Sequence, residues 1–334
     1  MRRLDRVLIR LRAGSPPARA WDTPQRQQRG GALAVAFLVT TRPRALVYLV
    51  PALLLAFGCT TQTTLSGDPD RSPAVALQFD GSQTNYVEIP SSPDFSVGDT
   101  GLTVAVWVRP DTFEFTNTEP VGGDPQCQYV HWLGKGEYQD ADQEWTFRMY
   151  RDDATACSGS SPNRSKRISF YVFAPTGGRG CGSYFQDDIQ PGSWVHVVGV
   201  VDPNTQTVAI YKNGNFRHRD SYASLQLGPG QAPLRLGTRD AVNRVGTVYS
   251  LFQGGLAQVQ IWNVPLDGDQ INALYNSGTV PDGLVAQYSL DQGSGNTVSD
   301  SADSHADGTI FGGTWDFGSY PIDMTPNGTS GGGC

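Results

Sequence analysis

The run Trp194-Val-His-Val-Val-Gly-Val-Val-Asp-Pro-Asn-Thr-Gln-Thr-Val-Ala-Ile-Tyr-Lys-Asn-Gly-Asn215 leaves this chain little choice of fold. Val195, Val197 and Val201 share one side of an extended segment. Trp194, His196, Val198 and Val200 share the other. A strand that is apolar on both sides belongs inside a sheet covered on both faces. Asp202-Pro-Asn-Thr205 has the chemistry of a turn: Asp bonds the backbone two residues on, and Pro presets the bend. Residues 207–212 return as a second strand, and Asn213-Gly214 calls for another tight turn.

The remaining chain repeats this grammar. Short strands are predicted over residues 74–79, 86–89, 102–108, 129–133, 144–150, 168–173, 234–236, 256–262, 284–290 and 308–317. The 39 Gly and 22 Pro supply the turns between them. With the central hairpin this makes about twelve strands, the pattern of two stacked sheets. The expected fold is all-β, a two-sheet antiparallel jelly-roll sandwich with one short helix. Asp267 is the helix N-cap and Gln270, three residues on, completes a capping box. Leu266 and Ile271 fit a hydrophobic staple, Leu274 and Tyr275 continue the stripe, and Gly278 stops it. Long polar loops are expected at 111–128, 151–166, 174–188 and 238–253.

Charge divides the chain. Residues 1–58 hold ten Arg and two Asp, while the whole chain is −7, so the rest carries about −15. Such a surface repels nucleic-acid phosphates, and no nucleic-acid partner is expected. Arg42 and Arg44 precede the apolar run 45–57, the layout of a secretory signal. Gly58-Cys59 then resembles a bacterial lipoprotein cleavage box, with Ala56 and Phe57 standing where Leu and a small residue are usual. Lipidation at Cys59 would place the protein in the bacterial cell envelope, touching membrane only through its anchor. The alternative is an ordinary signal or uncleaved anchor. Residues 1–38 are long for a signal, which suggests a true start near Val39. The domain reading is a leader over 1–58, a tether over 59–73, the sandwich over 74–318 and a disordered tail over 319–334.

Five stretches in order carry a family resemblance. They are Leu77-Gln-Phe-Asp-Gly81 with Tyr86-Val-Glu-Ile-Pro90, Leu102-Thr-Val-Ala-Val-Trp-Val-Arg-Pro110, Trp194 to Asp202, Tyr211-Lys-Asn-Gly214, and Gly255-Leu-Ala-Gln-Val-Gln-Ile-Trp-Asn263 with the capped helix. Together they resemble the laminin-G-like group of concanavalin A-like lectin and glucanase domains, over roughly residues 75–280. Residues 284–312 look like a segment often found at the start of such domains. Here it comes last, where a closing strand could occupy the same place. Ala257-Gln258 stands where members often carry Asp-Glu, near acidic residues that some of them use for calcium.

The resemblance implies binding or hydrolysis of polysaccharide. Hydrolases of this fold set two Glu at alternate positions of one strand, as acid and nucleophile. This chain has five Glu, at 88, 114, 119, 137 and 144, and no strand pairs two at that spacing. No catalytic residue is assigned. The expected function is non-catalytic binding of a carbohydrate or protein ligand through rim loops. A glycoside hydrolase or lyase and a purely structural envelope protein are the alternatives. Tyr184, Phe185, Arg239, Asp240 and Tyr249 are the ligand-binding candidates, as loop aromatics beside polar groups. His196 is expected to be a hydrogen-bonded core residue. Asp291, Asp300, Asp303 and Asp307 crowd one loop and could bind calcium through hard oxygen ligands; otherwise they only solvate a turn. Cys127, Cys157 and Cys181 are disulfide candidates, read as loop residues, with Cys157–Cys181 favoured and Cys334 left in the tail.

Overall fold

The computed structural model describes residues 75–138, 142–159, 161–176, 180–240, 250–302 and 306–317. The chain divides between Thr63 and Thr64 into two units, and these residues belong to the second. The leader, the tether, Cys59, Tyr249, Asp303 and the tail lie outside them.

In chain order the strands are β1 (Ala76–Asp80), β2 (Tyr86–Ile89), β3 (Leu102–Pro110), β4 (Glu119–Val121), β5 (Asp124–Glu137), β6 (Asp142–Tyr150), β7 (Ile168–Val172) and β8 (Cys181–Phe185). Then come β9 (Val195–Asp202), β10 (Thr207–Lys212), β11 (Asn215–Ser221), β12 (Leu234–Leu236) and β13 (Gln253–Trp262). Helix α1 (Gly268–Ser277) precedes β14 (Leu284–Tyr288), β15 (Thr297–Val298), β16 (Gly308–Phe311) and β17 (Thr314–Asp316). The first sheet runs β11-β10-β9-β3-β13-β1-β17, with β14 also on β13. The second runs β15-β16-β2-β12-β5-β6-β7-β8, with β4 on β5. Every pairing is antiparallel, as the sandwich reading requires.

The core forms where the inner faces meet. Val195, Val197 and Val201 of β9 and Val104, Val106 and Val108 of β3 pack with Trp145, Phe147 and Phe170 of the second sheet. Gly199 continues the inward face of β9, and a Cβ there would stand 2.5 Å from the Phe170 ring. The absent side chain therefore makes room for the aromatic. The outer side of β9 is covered too. Val198 and Val200 lie with Ala105, Ala209 and Trp262 beneath Leu266, Ile271 and Leu274 of the α1 segment. This accounts for the two-sided apolar pattern of that strand. The capping box is complete: the Gln270 amide donates to Asp267 Oδ1 at 2.9 Å, and the Asp267 amide to Gln270 Oε1 at 2.9 Å. Asn213 and Gly214 both take positive φ, 49° and 73°, the pair a two-residue hairpin turn demands.

Some strands exceed the expectation. β5 extends back to Asp124, into what reads as a polar loop. β4 and β8 lie where only loop is expected, and β11 lies where no element is assigned. Edge strands face solvent and need no apolar alternation, so Asn215-Phe-Arg-His-Arg-Asp-Ser221 carries no strand signal. The single strand expected at 308–317 breaks at Gly312-Gly313 into β16 and β17, one in each sheet.

The disulfide joins Cys127 to Cys157, not Cys157 to Cys181. Tyr129 of β5 pairs with Tyr150 of β6, so Cys127 lies beside the segment leaving β6. Cys181 sits on β8, at the far end of the β5-β6-β7-β8 order, and remains a thiol. Cys127 and Cys181 are strand residues rather than loop residues.

Candidate functional site

The outer face of the second sheet is polar yet buried. Along β6, Trp145, Phe147 and Met149 point into the core, so Thr146 and Arg148 point out. His131 on β5 pairs across with Arg148. The Arg148 guanidinium lies 4.4 Å from the Tyr129 ring, 4.5 Å from Tyr171 and 5.2 Å from Phe173. The protein thus fills this aromatic cage with its own cation.

Beside the cage, three side chains of types that can ligate a metal meet: Glu119 of β4, His131 of β5 and Asp240 after β12. His131 Nε2 is 3.2 Å from Glu119 Oε2 and 4.0 Å from Asp240 Oδ2. The His131 and Asp240 side chains are fully buried. His131 Nδ1 is 2.8 Å from Thr146 Oγ1. Tyr129 donates its hydroxyl to Glu119 Oε1 at 2.8 Å. Arg239 donates to both oxygens of Asp240 at 2.8 Å, and the Tyr138 amide to Oδ1 at 2.8 Å. Burial, with Arg239 adding to it, pulls the His131 imidazole down to about 4. Burial alone would raise the Glu119 carboxyl, but His131, Arg148 and Arg239 outweigh it and hold that group well below the usual range.

Other strand carboxylates are matched with cations. Arg235 donates to Glu88 at 2.9 Å and to Glu137 at 3.0 Å. Lys135 binds Glu144 in a fully buried pair, joined by the Gly230 amide at 2.9 Å. Burial pushes the Glu144 carboxyl up despite Lys135.

An open pocket of about 380 Å³ lies between the β10–β11 hairpin and α1. Its wall carries Tyr211, Asn215, Phe216, Arg219, Asp269 and Asn272. Phe216 is 51% exposed and meets Tyr211 edge-on at 5.6 Å. The Arg219 guanidinium stands 5.6 Å from the Phe216 ring. An exposed aromatic ring among amide, carboxylate and guanidinium groups offers both a stacking face and hydrogen bonds.

The four described ligand candidates read from sequence fall elsewhere. Tyr184 and Phe185 are on β8, not in a loop. Phe185 is buried in the main core. Tyr184 lies between the Arg167 guanidinium, 3.9 Å from its ring, and His218. Arg239 and Asp240 are buried and bonded to each other, so they present no surface for a sugar to stack on or bond. His196 is a core residue, 5.2 Å from the Trp107 ring and 5.8 Å from Tyr275. Its Nδ1, however, has no hydrogen-bond partner. Asp300 Oδ1 accepts the amides of Gln287 and Ala302, and Asp307 Oδ1 accepts that of Asp300. Asp291 is exposed. Among the described residues, the side chains grouped as metal ligands are instead Glu119, His131 and Asp240.

Residues 80–272 match the family model for the concanavalin A-like lectin/glucanases superfamily, of the laminin G type, which is more than half of the chain. The chain belongs to this superfamily. Among solved structures it is similar to a candidate carbohydrate-binding protein of Bacteroides ovatus, with a TM-score of 0.52 and 16% identity. That match covers 76% of this chain and spans 62% of the other protein's length. At this identity the likeness is one of fold. A heptameric SAP-like pentraxin of Limulus polyphemus is similar over 72% of this chain and 96% of its own, at 15% identity and a TM-score of 0.44. The binding domain of botulinum neurotoxin serotype G is similar over 60% of this chain and 44% of its own, at 12% identity and a TM-score of 0.40. Comparison with curated proteins finds no match. The superfamily's sandwich is thus present here with its outer sheet face filled by internal ion pairs and a pocket at the helix side.

Proposed function

We propose that this lectin-like sandwich is a non-catalytic module that binds carbohydrate in the pocket between the β10–β11 hairpin and α1. The half-exposed Phe216 ring carries the reading. A sugar stacks its C–H face on an aromatic surface, while Asn215, Asn272, Asp269 and Arg219 are placed to bond its hydroxyls. The fold-level likeness to the Bacteroides ovatus protein agrees with this reading. So does the pairing of strand carboxylates with Arg235 and Lys135, which leaves those groups committed to cations. A lipoprotein-type leader cleaved before Cys59, with Cys59 lipidated, would present the module at a cell surface.

A glycan array probed with the full chain tests this directly. The expected result is binding to a defined set of glycans, lost in Phe216→Ala. An array signal equal in Phe216→Ala would remove the pocket from consideration. Release of reducing ends from any bound glycan would make the protein a hydrolase or lyase instead.

A further inference from the structure

We propose that Glu119, His131 and Asp240 form a binding site for one divalent transition-metal ion, independent of the carbohydrate pocket. The argument starts from two orphaned atoms. His131 Nε2 and Glu119 Oε2 are buried and 3.2 Å apart, an ion pair only when the imidazole carries its second proton, and neither atom has another hydrogen-bond partner. With the imidazole neutral, two such acceptors facing each other are costly inside a protein.

The tautomer sharpens the point. Thr146 Oγ1 lies 3.2 Å from the carbonyls of Leu133 and Phe147, so its proton goes to a carbonyl. Its oxygen then accepts from His131 Nδ1–H at 2.8 Å. That leaves Nε2 with a lone pair aimed at two carboxylates. Lone pairs converging from an imidazole and two carboxylates repel one another unless a second proton on Nε2 or a metal cation lies between them.

The supporting shell is complete. Each ligand has its second polar atom held from behind: His131 by Thr146, Glu119 by the Tyr129 hydroxyl, and Asp240 by Arg239 and the Tyr138 amide. This is the arrangement that orients metal ligands and fixes the His tautomer. Arg239 approaches Asp240 Oδ2 along one direction at 2.8 Å, and a carboxylate oxygen has a second lone pair. The Arg239 and Arg148 guanidiniums weaken any cation's hold, but both are already engaged, one with Asp240 and Gln143, the other with the aromatic cage.

The dimensions suit a small ion. A tetrahedral zinc with bonds near 2.05 Å sets its ligand atoms about 3.4 Å apart. Here two separations are 3.2 and 4.0 Å, and all three atoms lie within 4.8 Å of one another. One imidazole with two carboxylates favours zinc or a similar transition metal over magnesium. Glu119 is the partly exposed ligand, so its side is the entry path. The bound ion would tie β4, β5 and the segment after β12 together.

The test uses the full chain without an affinity tag, stripped with chelator and titrated with zinc chloride, with magnesium chloride as comparator. Binding of one zinc per chain is expected. At zinc a hundredfold above the binding midpoint, Tm should rise by about 5–10 °C. Magnesium should leave Tm unchanged. Diffraction at the zinc edge should place one anomalous peak in contact with His131 Nε2, Glu119 Oε2 and Asp240 Oδ2. Both His131→Gln and Glu119→Gln should lose the Tm rise. No bound zinc, an anomalous peak elsewhere, an ordinary water at that point, or a Tm rise kept by a folded variant would each overturn the assignment. Should the variants fail to fold, the wild-type anomalous map decides alone.

Discussion

Two buried histidines show how differently one residue type is used here. His196 reads from sequence as a core residue because it interrupts the most apolar strand, and the structure packs its ring against Trp107 and Tyr275. Burial brings its imidazole down to about 3. The unfolded chain takes up a proton near pH 6.5, and the folded chain does so only near 3. Between those values the unfolded state binds more protons, so stability rises with pH and is fully present above about 6.5. Wild type should therefore lose up to about 1.4 kcal/mol per pH unit from this group on acidification. Denaturant titrations from pH 3.5 to 7 should give a shallower slope for His196→Leu; equal slopes would show that His196 does not set it. His131 gave no comparable signal in sequence. Its partners lie 12 residues before it and 109 after it, and only the folded sheet brings them together. Arg239 and Asp240 read from sequence as a loop binding pair, yet the fold turns them inward, where Arg239 holds Asp240.

At the scale of elements, legibility followed burial. Strands with an inward face, such as β3, β6 and β9, announce themselves by alternation or by continuous Val. The helix was readable because its cap is local chemistry: Asp267 and Gln270 meet without help from the rest of the chain. β8 and β11 were not readable, since edge pairing rests on backbone bonds that any side chain permits. The disulfide failed for a related reason. Spacing cannot say which strands are neighbours, and Cys127–Cys157 depends on β5 lying against β6. That bond has a sequence separation of 30 and packs with Tyr129, Tyr150 and Ala154. Closing a loop of this length stabilises the fold by roughly 3–4 kcal/mol in the chain-entropy account. Cys157→Ser should lower unfolding stability by about that amount. Chemical denaturation measures it, and a loss below about 1 kcal/mol would mean that the packing of that cluster, not the link, holds the β5–β6 corner.

At the scale of the molecule, the last described strands close both sheets of the sandwich at one edge. The last strands lie against the first: β17 pairs with β1 in one sheet, and β16 pairs with β2 in the other. Strands near the start of the sandwich and strands near its end thus close it at the same edge. The crossing between sheets occurs in two residues, Gly312 and Gly313. Gly312 has a φ of 68°, and a Cβ there would stand 2.3 Å from the Thr84 carbonyl oxygen. Thr84 stands just before β2, so the clash would push the end of β16 away from β2. A branched side chain at this point meets two penalties at once, the left-handed backbone and the steric overlap. Gly312→Val should cost about 2–4 kcal/mol. The loss should be local in origin, because β16 and β17 must detach before the rest opens. Amide exchange would then show Val87, Ile310 and Leu77 losing protection first, while β3 and β9 keep theirs. If β9 loosened together with β16, the sandwich would be opening as one unit, and the closing strands would not be its latch.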